Sequence, residues 1–196
     1  MSDRILKPLV FVACLLPAVV LVWQGYNDQL GANPIEELTR RSGEWTLRFL
    51  LITLCATPLK LAFGWGWTIR IRRMLGLFAF FYAALHLITY LWLDQFFDWH
   101  EIWLDILERP FITIGMLAFV LLLPLVLTSN RYMMRRLGRN WKRLHRLAYI
   151  VPTLAVVHFW WLVKADMSAP LIYGLLLAIL LVARMARVQT FYRAAR

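Results

Sequence analysis

Two apolar stretches decide the fold of this chain: MLGLFAFFYAALHLITYLWL at residues 74–93 and LAYIVPTLAVVHFWWLV at residues 147–163. Each is close to the ~20 residues that a helix needs to cross the hydrocarbon core of a bilayer. Each also carries one histidine, His86 or His158, well inside the apolar run. A strongly polar ring at that depth is costly in lipid and usually has a function.

The composition of the whole chain is that of a membrane protein. Of its 196 residues, 61% are hydrophobic and only 17% are charged, more apolar surface than a soluble domain of this size can bury. The apolar runs are continuous rather than alternating, which argues against strands, and no sequence repeat is evident. We therefore predict an all-α membrane protein, a single domain over residues 1–196 with six transmembrane helices near Pro8–Gly25, Trp45–Phe63, Met74–Leu93, Phe111–Thr128, Leu147–Val163 and Met167–Ala183.

Basic residues set the predicted orientation. The net charge is +11, but the charges are confined to short loops between apolar runs, so membrane orientation explains them better than nucleic-acid binding. With six spans, 17 Lys and Arg residues fall on one side and 5 on the other. Because cytoplasmic loops are enriched in Lys and Arg, both termini are predicted to be cytoplasmic.

The two buried histidines are predicted to lie in one layer. His86 is 12 residues beyond Met74 and His158 is 11 beyond Leu147, about 18 Å and about 16–17 Å along two parallel helices. Neutral imidazoles at matched depth are suited to hold a low-spin haem iron between helices 3 and 5. The alternative is that each ring makes an interhelical hydrogen bond.

The cysteines limit how a haem can be held. Cys14 and Cys55 both lie inside apolar runs, and neither belongs to a C-x-x-C-H attachment motif. Any haem must therefore be bound without thioether links, as in b-type cytochromes.

The other two histidines are predicted to lie elsewhere. His145 is 13 residues before His158, about 20 Å along a helix predicted to begin near Asn140. It therefore belongs either to a second, cytoplasmic-side layer or to the interface. His100 lies among acidic residues in a predicted outer loop, where it is expected to be solvated.

Several basic residues are candidate partners of haem propionates, since anions of this kind pair with Arg or Lys. The candidates for an inner site are Arg72, Arg73, Arg143 and Arg146, and those for an outer site are Arg48, Arg109 and Lys164.

Three segments carry a resemblance to a known family: RPFITIG at 109–115, LTS at 127–129 and LGRNWKRLHRLAY at 137–149. Together they resemble the MsrQ (YedZ) family, the haem-binding membrane subunit of a bacterial methionine sulfoxide reductase system. Its wider relatives are the transmembrane domains of ferric reductases and NADPH oxidases, which carry two His on each of the corresponding helices. This chain has Arg72 and Arg73 where the inner His of the third helix would be.

The resemblance implies a function and a set of cofactors. It implies that His86, His145 and His158 are haem-related, that one or two b haems bind, and that FMN is a further cofactor. It also implies a multi-pass protein of the bacterial inner membrane, an electron-transfer subunit rather than the catalytic one. Its donor would be the quinone pool or a cytosolic flavin reductase. Its acceptor would be a periplasmic molybdopterin-containing reductase that repairs oxidised methionines.

Two other functions remain open from the sequence. One is a stand-alone transmembrane ferric or quinone reductase with the same haem. The other is a transporter or assembly factor whose intramembrane histidines line a substrate path. The sequence has no G-x-G-x-x-G motif for a nucleotide, so the chain is predicted to receive electrons rather than to take a hydride itself.

Overall fold

The computed structural model describes residues 3–163 and 166–194, with side chains for 4–163 and 166–184. Every regular element in these ranges is helical. The elements are α1 (Asp3–Tyr26), α2 (Pro34–Phe63), α3 (Trp67–Ile88), a π-helical turn (Thr89–Asp94), α4 (Trp99–Glu108), α5 (Pro110–Leu127), α6 (Arg131–Leu137), α7 (Arg139–Leu144), α8 (Leu147–Leu162) and α9 (Ser168–Ala194).

Four of these helices are long and apolar enough to cross a membrane: Arg4–Tyr26, Pro34–Phe63, Trp67–Asp94 and Pro110–Leu127. The apolar part of α9, Ser168–Arg184, is shorter. With 16 residues, α8 reaches about 24 Å, less than the ~30 Å of a hydrocarbon core. The all-α, multi-pass class is therefore confirmed, whereas six full spans stay a prediction.

Helix α2 begins 11 residues earlier than its apolar run, at Pro34 instead of Trp45. The Asn33 side chain caps it by accepting from a backbone N–H three residues on, and proline at the first helical position favours the start. Ion pairs one turn apart, such as Arg40–Glu44 at 2.6 Å, stabilise this polar extension. The connection expected between the predicted spans Pro8–Gly25 and Trp45–Phe63 is therefore helical from Pro34 onward.

The connection between α3 and α5 is not the predicted loop either. It holds the π-helical turn and α4, whose first turn is capped by Asp98 accepting from the backbone N–H groups of His100 and Glu101. His100 itself is exposed, as predicted.

The predicted start of the fifth helix near Asn140 is wrong. The short helix α7 is preceded by Gly138 at a positive φ of 50°. The helix is then interrupted at His145, and α8 begins at Leu147. The break has a cause in side-chain hydrogen bonds. Trp141 donates to the Thr128 carbonyl oxygen at 3.0 Å, and this bond ties α7 to the end of α5.

The core is built from two packed helix pairs, α2 with α3 and α5 with α8. Tyr82 of α3 is fully buried and links α1 to the first pair. Its hydroxyl donates to the Cys14 carbonyl oxygen at 2.8 Å and accepts from the Ala18 amide at 3.0 Å. In an undisturbed α-helix the Ala18 amide would donate directly to the Cys14 carbonyl oxygen. Here the Tyr82 hydroxyl is inserted between these two groups, next to Pro17. Its ring stacks on Phe49 with centroids 5.2 Å apart.

Candidate haem site

The rings of His86 on α3 and His158 on α8 face each other across the core, as their matched depth predicted. Their centroids are 6.2 Å apart and their planes are 77° from parallel. An imidazole nitrogen binds a first-row metal at about 2 Å, so two rings on opposite sides of one ion have centres roughly 6 Å apart. The spacing therefore suits one metal ion held between the two rings.

Hydrogen bonds fix which nitrogen of each ring is available. Nδ1 of His86 lies 2.8 Å from the Thr39 carbonyl oxygen, and Nδ1 of His158 lies 2.6 Å from that of Phe111. A backbone carbonyl only accepts, so each Nδ1 must carry the hydrogen. In a neutral ring this leaves the Nε2 lone pair free, the arrangement found in metal-binding histidines.

A glycine lies against each ring. A Cβ atom built on Gly43 of α2 would be 3.1 Å from Cε1 and Nδ1 of His86. One built on Gly115 of α5 would be only 2.9 Å from the same atoms of His158. Each imidazole therefore rests on helix backbone at a distance that a side chain at the glycine would prevent.

The two halves of the site repeat in structure with a constant offset of 72 residues. Each Nδ1 bonds a carbonyl 47 residues earlier in the chain. Each ring also lies against the glycine that follows that carbonyl by one helical turn. The two helix hairpins, α2–α3 and α5–α8, thus hold one histidine each by the same set of contacts. The sequence carried this signal at matched positions, although too few residues are identical for a repeat to stand out.

A cavity of about 340 Å³ lies between the hairpins and is lined by both histidines and both glycines. This volume is within the roughly 300–1,000 Å³ of small-molecule and cofactor sites. Most of the other lining residues are apolar, among them Leu47, Leu50, Ala83, Phe111, Ile112, Ala118, Phe119, Leu122, Val151, Ala155, Phe159 and Leu162. Such a lining excludes water and favours a flat apolar ring system.

Apart from the two histidines and Thr46, the polar lining residues gather at one end, where α2 and α5 begin and where the π-helical turn ends. They are Thr39, Arg40, Glu44, Tyr90, Asp94 and Arg109. The Thr39 hydroxyl oxygen is buried and has no hydrogen-bond partner among the described residues. Buried polar atoms normally have a partner, so this hydroxyl is available to a polar group of a bound cofactor.

The candidate propionate partners fall in different places. Of the six arginines predicted, Arg109 lines the cavity, with its Nε 3.1 Å from Asp105. Arg48 is bound outside the cavity by Glu44 and by the Tyr173 hydroxyl. The structure does not bring the inner group to the cavity: Arg72, Arg73, Arg143 and Arg146. Lys164 lies outside the described residues.

Arg40 lines the cavity and was missed from the sequence. It was counted only as an outer-loop charge, because the helical extension of α2 that carries it toward His86 has no apolar pattern. The cap at Asn33 and the i, i+4 pair Arg40–Glu44 were the signals of that extension.

His145 is separated from the other two candidate ligands and lies outside the cavity lining. Its ring stacks on Trp141 with centroids 3.9 Å apart, and its Nε2 is 3.0 Å from the Thr128 hydroxyl oxygen. That hydroxyl donates its hydrogen to the Pro124 carbonyl at 2.6 Å, so it accepts from Nε2 of His145. The ring is thus tied to the end of α5 through its Nε2 hydrogen. Partial burial, and secondly the charge of Arg72, lower the pKa of His145, which favours the neutral ring.

Comparison with known proteins places this geometry in a family. Residues 42–156 match the family model described as the ferric reductase like transmembrane component, a range that includes His86 and Gly115. Curated relatives named "Protein-methionine-sulfoxide reductase heme-binding subunit MsrQ" cover most of the chain. The relative from Herminiimonas arsenicoxydans is 51% identical over 183 residues, 92% of this chain and 84% of its own length. That from Rhodospirillum rubrum is 54% identical over 187 residues, 93% and 88% of the two chains. That from Caulobacter vibrioides is 50% identical over 175 residues, 89% and 83% of the two chains.

Proposed function

Because the chain belongs to the MsrQ family of haem-binding subunits, we propose that it carries electrons through the membrane to a methionine sulfoxide reductase catalytic subunit. The observation that carries this proposal is the pair of facing imidazoles, each with Nδ1 bonded to a backbone carbonyl. In the proposed system the chain is a b-type cytochrome of the bacterial inner membrane. It takes electrons from the quinone pool or a cytosolic flavin reductase. It gives them to a periplasmic molybdopterin-containing reductase that repairs oxidised proteins.

Different residues would bind the iron, orient the two rings and leave room for them. His86 and His158 would hold the iron through Nε2, while the Thr39 and Phe111 carbonyls keep each ring in the tautomer and orientation that ligation needs. Gly43 and Gly115 let the rings approach the helix backbone. A bound haem supplies one-electron oxidation and reduction.

The polar end of the cavity would hold the propionates. The Arg40 and Arg109 guanidinium groups offer charge, and the Thr39 hydroxyl offers a hydrogen bond. Because these groups lie at the end of the bundle predicted to face outward, the arrangement would bring the redox centre toward a periplasmic acceptor. The names of the relatives mention haem and no flavin, so FMN stays a prediction from the resemblance alone, as does a second haem near His145.

The conduit function predicts a two-stage result in proteoliposomes. With reduced quinone, or a flavin reductase with its reductant, on the cytoplasmic side, the haem absorbance should become that of the reduced form while methionine sulfoxide persists. Adding the molybdopterin reductase outside should reoxidise the haem and consume sulfoxide. Liposomes with His158→Ala protein are the matched control and should do neither. Sulfoxide reduction by this chain alone would overturn the proposal.

The match to ferric reductase like transmembrane components favours one second candidate, a stand-alone transmembrane ferric or quinone reductase. The same liposomes separate the two functions. Rapid reoxidation by external ferric chelates, with none by the periplasmic reductase, would favour the second candidate.

The orientation is part of the proposal, with six spans and both termini in the cytoplasm. Its support is the division of Lys and Arg residues, 17 on one side and 5 on the other. Reporter fusions after Gly31 and after His100 are expected to be periplasmic, and a fusion after Gly138 cytoplasmic. A cytoplasmic signal from the fusion after His100 would contradict the orientation.

A further inference from the structure

Helix α4 presents an exposed apolar stripe that the haem site does not use. Trp99, Trp103 and Leu107 follow one another at intervals of four residues, and 67%, 60% and 63% of their surfaces are exposed. Residues spaced in this way share one face of a helix. Phe96, just before the helix, is 77% exposed and adds a fourth large apolar side chain beside this stripe.

The other faces of α4 meet different surroundings. Ile102 and Asp105 are buried against the protein. His100, Glu101 and Glu108 are exposed and polar. With one face toward protein, one apolar and one polar, the helix has the character of a segment at a membrane–water boundary.

An open groove of about 540 Å³ lies beside the stripe. Its lining is entirely apolar or aromatic and comes from three elements around α4: Leu87, Leu91, Trp99, Ile102, Trp103, Ile106 and Met116. Such a lining offers no charge for a polar ligand and suits a hydrocarbon chain. Leu87 and Met116 line the haem cavity as well, so the groove and the cavity share a wall.

Large apolar side chains are also exposed on the neighbouring candidate spans, next in sequence to residues that line the groove. Trp92 in the π-helical turn follows Leu91 and is 56% exposed, and Leu117 of α5 follows Met116 and is 48% exposed. Tryptophan is the residue that membrane proteins concentrate at the headgroup level. These exposed neighbours on candidate membrane spans favour lipid over a soluble partner as the occupant.

Two residues just before α4 have a strained backbone conformation that fixes the direction in which α4 leaves the π-helical turn. Phe96 and Phe97 have positive φ values of 48° and 58°. Bulky side chains rarely adopt that region, which persists only where surrounding contacts enforce it. The two residues break the helical path between the π-helical turn and α4 and leave both phenyl rings at the surface.

We propose that α4 lies at the boundary between headgroups and acyl chains of the outer leaflet, with one phospholipid acyl chain in the groove. The proposal rests on the transmembrane orientation given above and is independent of haem binding. Asp105 of α4 connects this helix to the haem cavity. That carboxylate accepts from the Tyr90 hydroxyl at 3.1 Å and lies 3.1 Å from the Arg109 guanidinium. Both partners line the cavity.

Photocrosslinking in nanodiscs of phosphatidylethanolamine and phosphatidylglycerol tests the proposal. The full-length protein carries p-benzoylphenylalanine in place of Trp103, and the matched control carries it in place of the exposed Glu101, two residues away on the opposite face of α4. We expect lipid adducts in mass spectra at position 103 with several-fold greater yield than at position 101. Equal yields would overturn the proposal.

A second probe position keeps the test decisive if the Trp103 variant does not fold. Leu107 lies one turn further along the same stripe and should give the same lipid adducts. With the periplasmic reductase added, lipid adducts at position 107 should persist. Their replacement by protein adducts would show that a protein occupies this face and would overturn the lipid assignment. Haem spectra of each variant report on the conduit proposal separately, because neither probe lies in the ligand pair.

Discussion

Alanine in place of His86 or His158 is expected to remove the low-spin haem spectrum from membranes that contain this protein. Each ring supplies one Nε2 atom from one hairpin, and no other histidine lies in the cavity lining, so neither loss can be replaced from within the site. Haem content should fall at least as much as the 10–100-fold typical of losing a supporting metal-site contact. The measurement is a reduced-minus-oxidised spectrum, with haem counted per chain.

The remaining histidines are the controls for this experiment. His100→Ala should leave the spectrum unchanged, because His100 is exposed on α4. His145→Ala should leave the His86–His158 signal intact, and it should change haem count or reduction rate only if a second, inner layer exists. Full haem retention after removal of either cavity histidine would contradict the pairing.

Gly115→Ala is expected to weaken haem binding without unfolding the protein. The added Cβ would be 2.9 Å from the His158 ring, so the ring must move away from the position that its hydrogen bond to Phe111 holds. Overpacking of this kind costs about 1–3 kcal/mol, which corresponds to roughly 5- to 150-fold in affinity. Alanine is the better helix former, and in the haem-free protein the His158 ring can shift away from the added methyl group, so stability should fall less than haem affinity. Haem titration of the purified apoprotein measures the effect.

Alanine substitutions at two other glycines should have graded, smaller effects on haem affinity. Gly43→Ala brings a Cβ to 3.1 Å from His86 and should have a smaller effect. Gly76→Ala on α3 meets only the Thr53 methyl group at 3.7 Å, an ordinary contact, and should bind haem like the unchanged protein. Equal losses in all three variants would mean that helix packing, and not the fit of the rings, sets haem affinity.

The sequence predicted the part of the site that depends on depth in the membrane. Distance along an apolar helix is readable from residue count, so His86 and His158 could be placed in one layer before any contact was known. The sequence did not predict what lies across from each ring. Gly43 is in a polar stretch without apolar periodicity, and its role appears only once α2 extends back to Pro34.

Local signals explain the other differences. α4 was expected to be a loop because its acidic residues hide an apolar spacing of four, Trp99 to Trp103 to Leu107. The interruption at His145 was not expected because it depends on hydrogen bonds to Thr128, a residue 17 positions away. Helix boundaries of this kind are set by tertiary contacts rather than by propensity.

The two-hairpin repeat also sets an order for biosynthesis. The first hairpin with His86 leaves the ribosome 72 residues ahead of His158, which is roughly 4–14 s at typical rates of ~5–20 residues per second. During that interval the nascent chain offers one imidazole, already oriented by its own carbonyl, with nothing opposite. If His86 and His158 hold one haem as proposed, cofactor loading follows insertion of the second hairpin, and a chain that stalls between the two would reach quality control as an apoprotein.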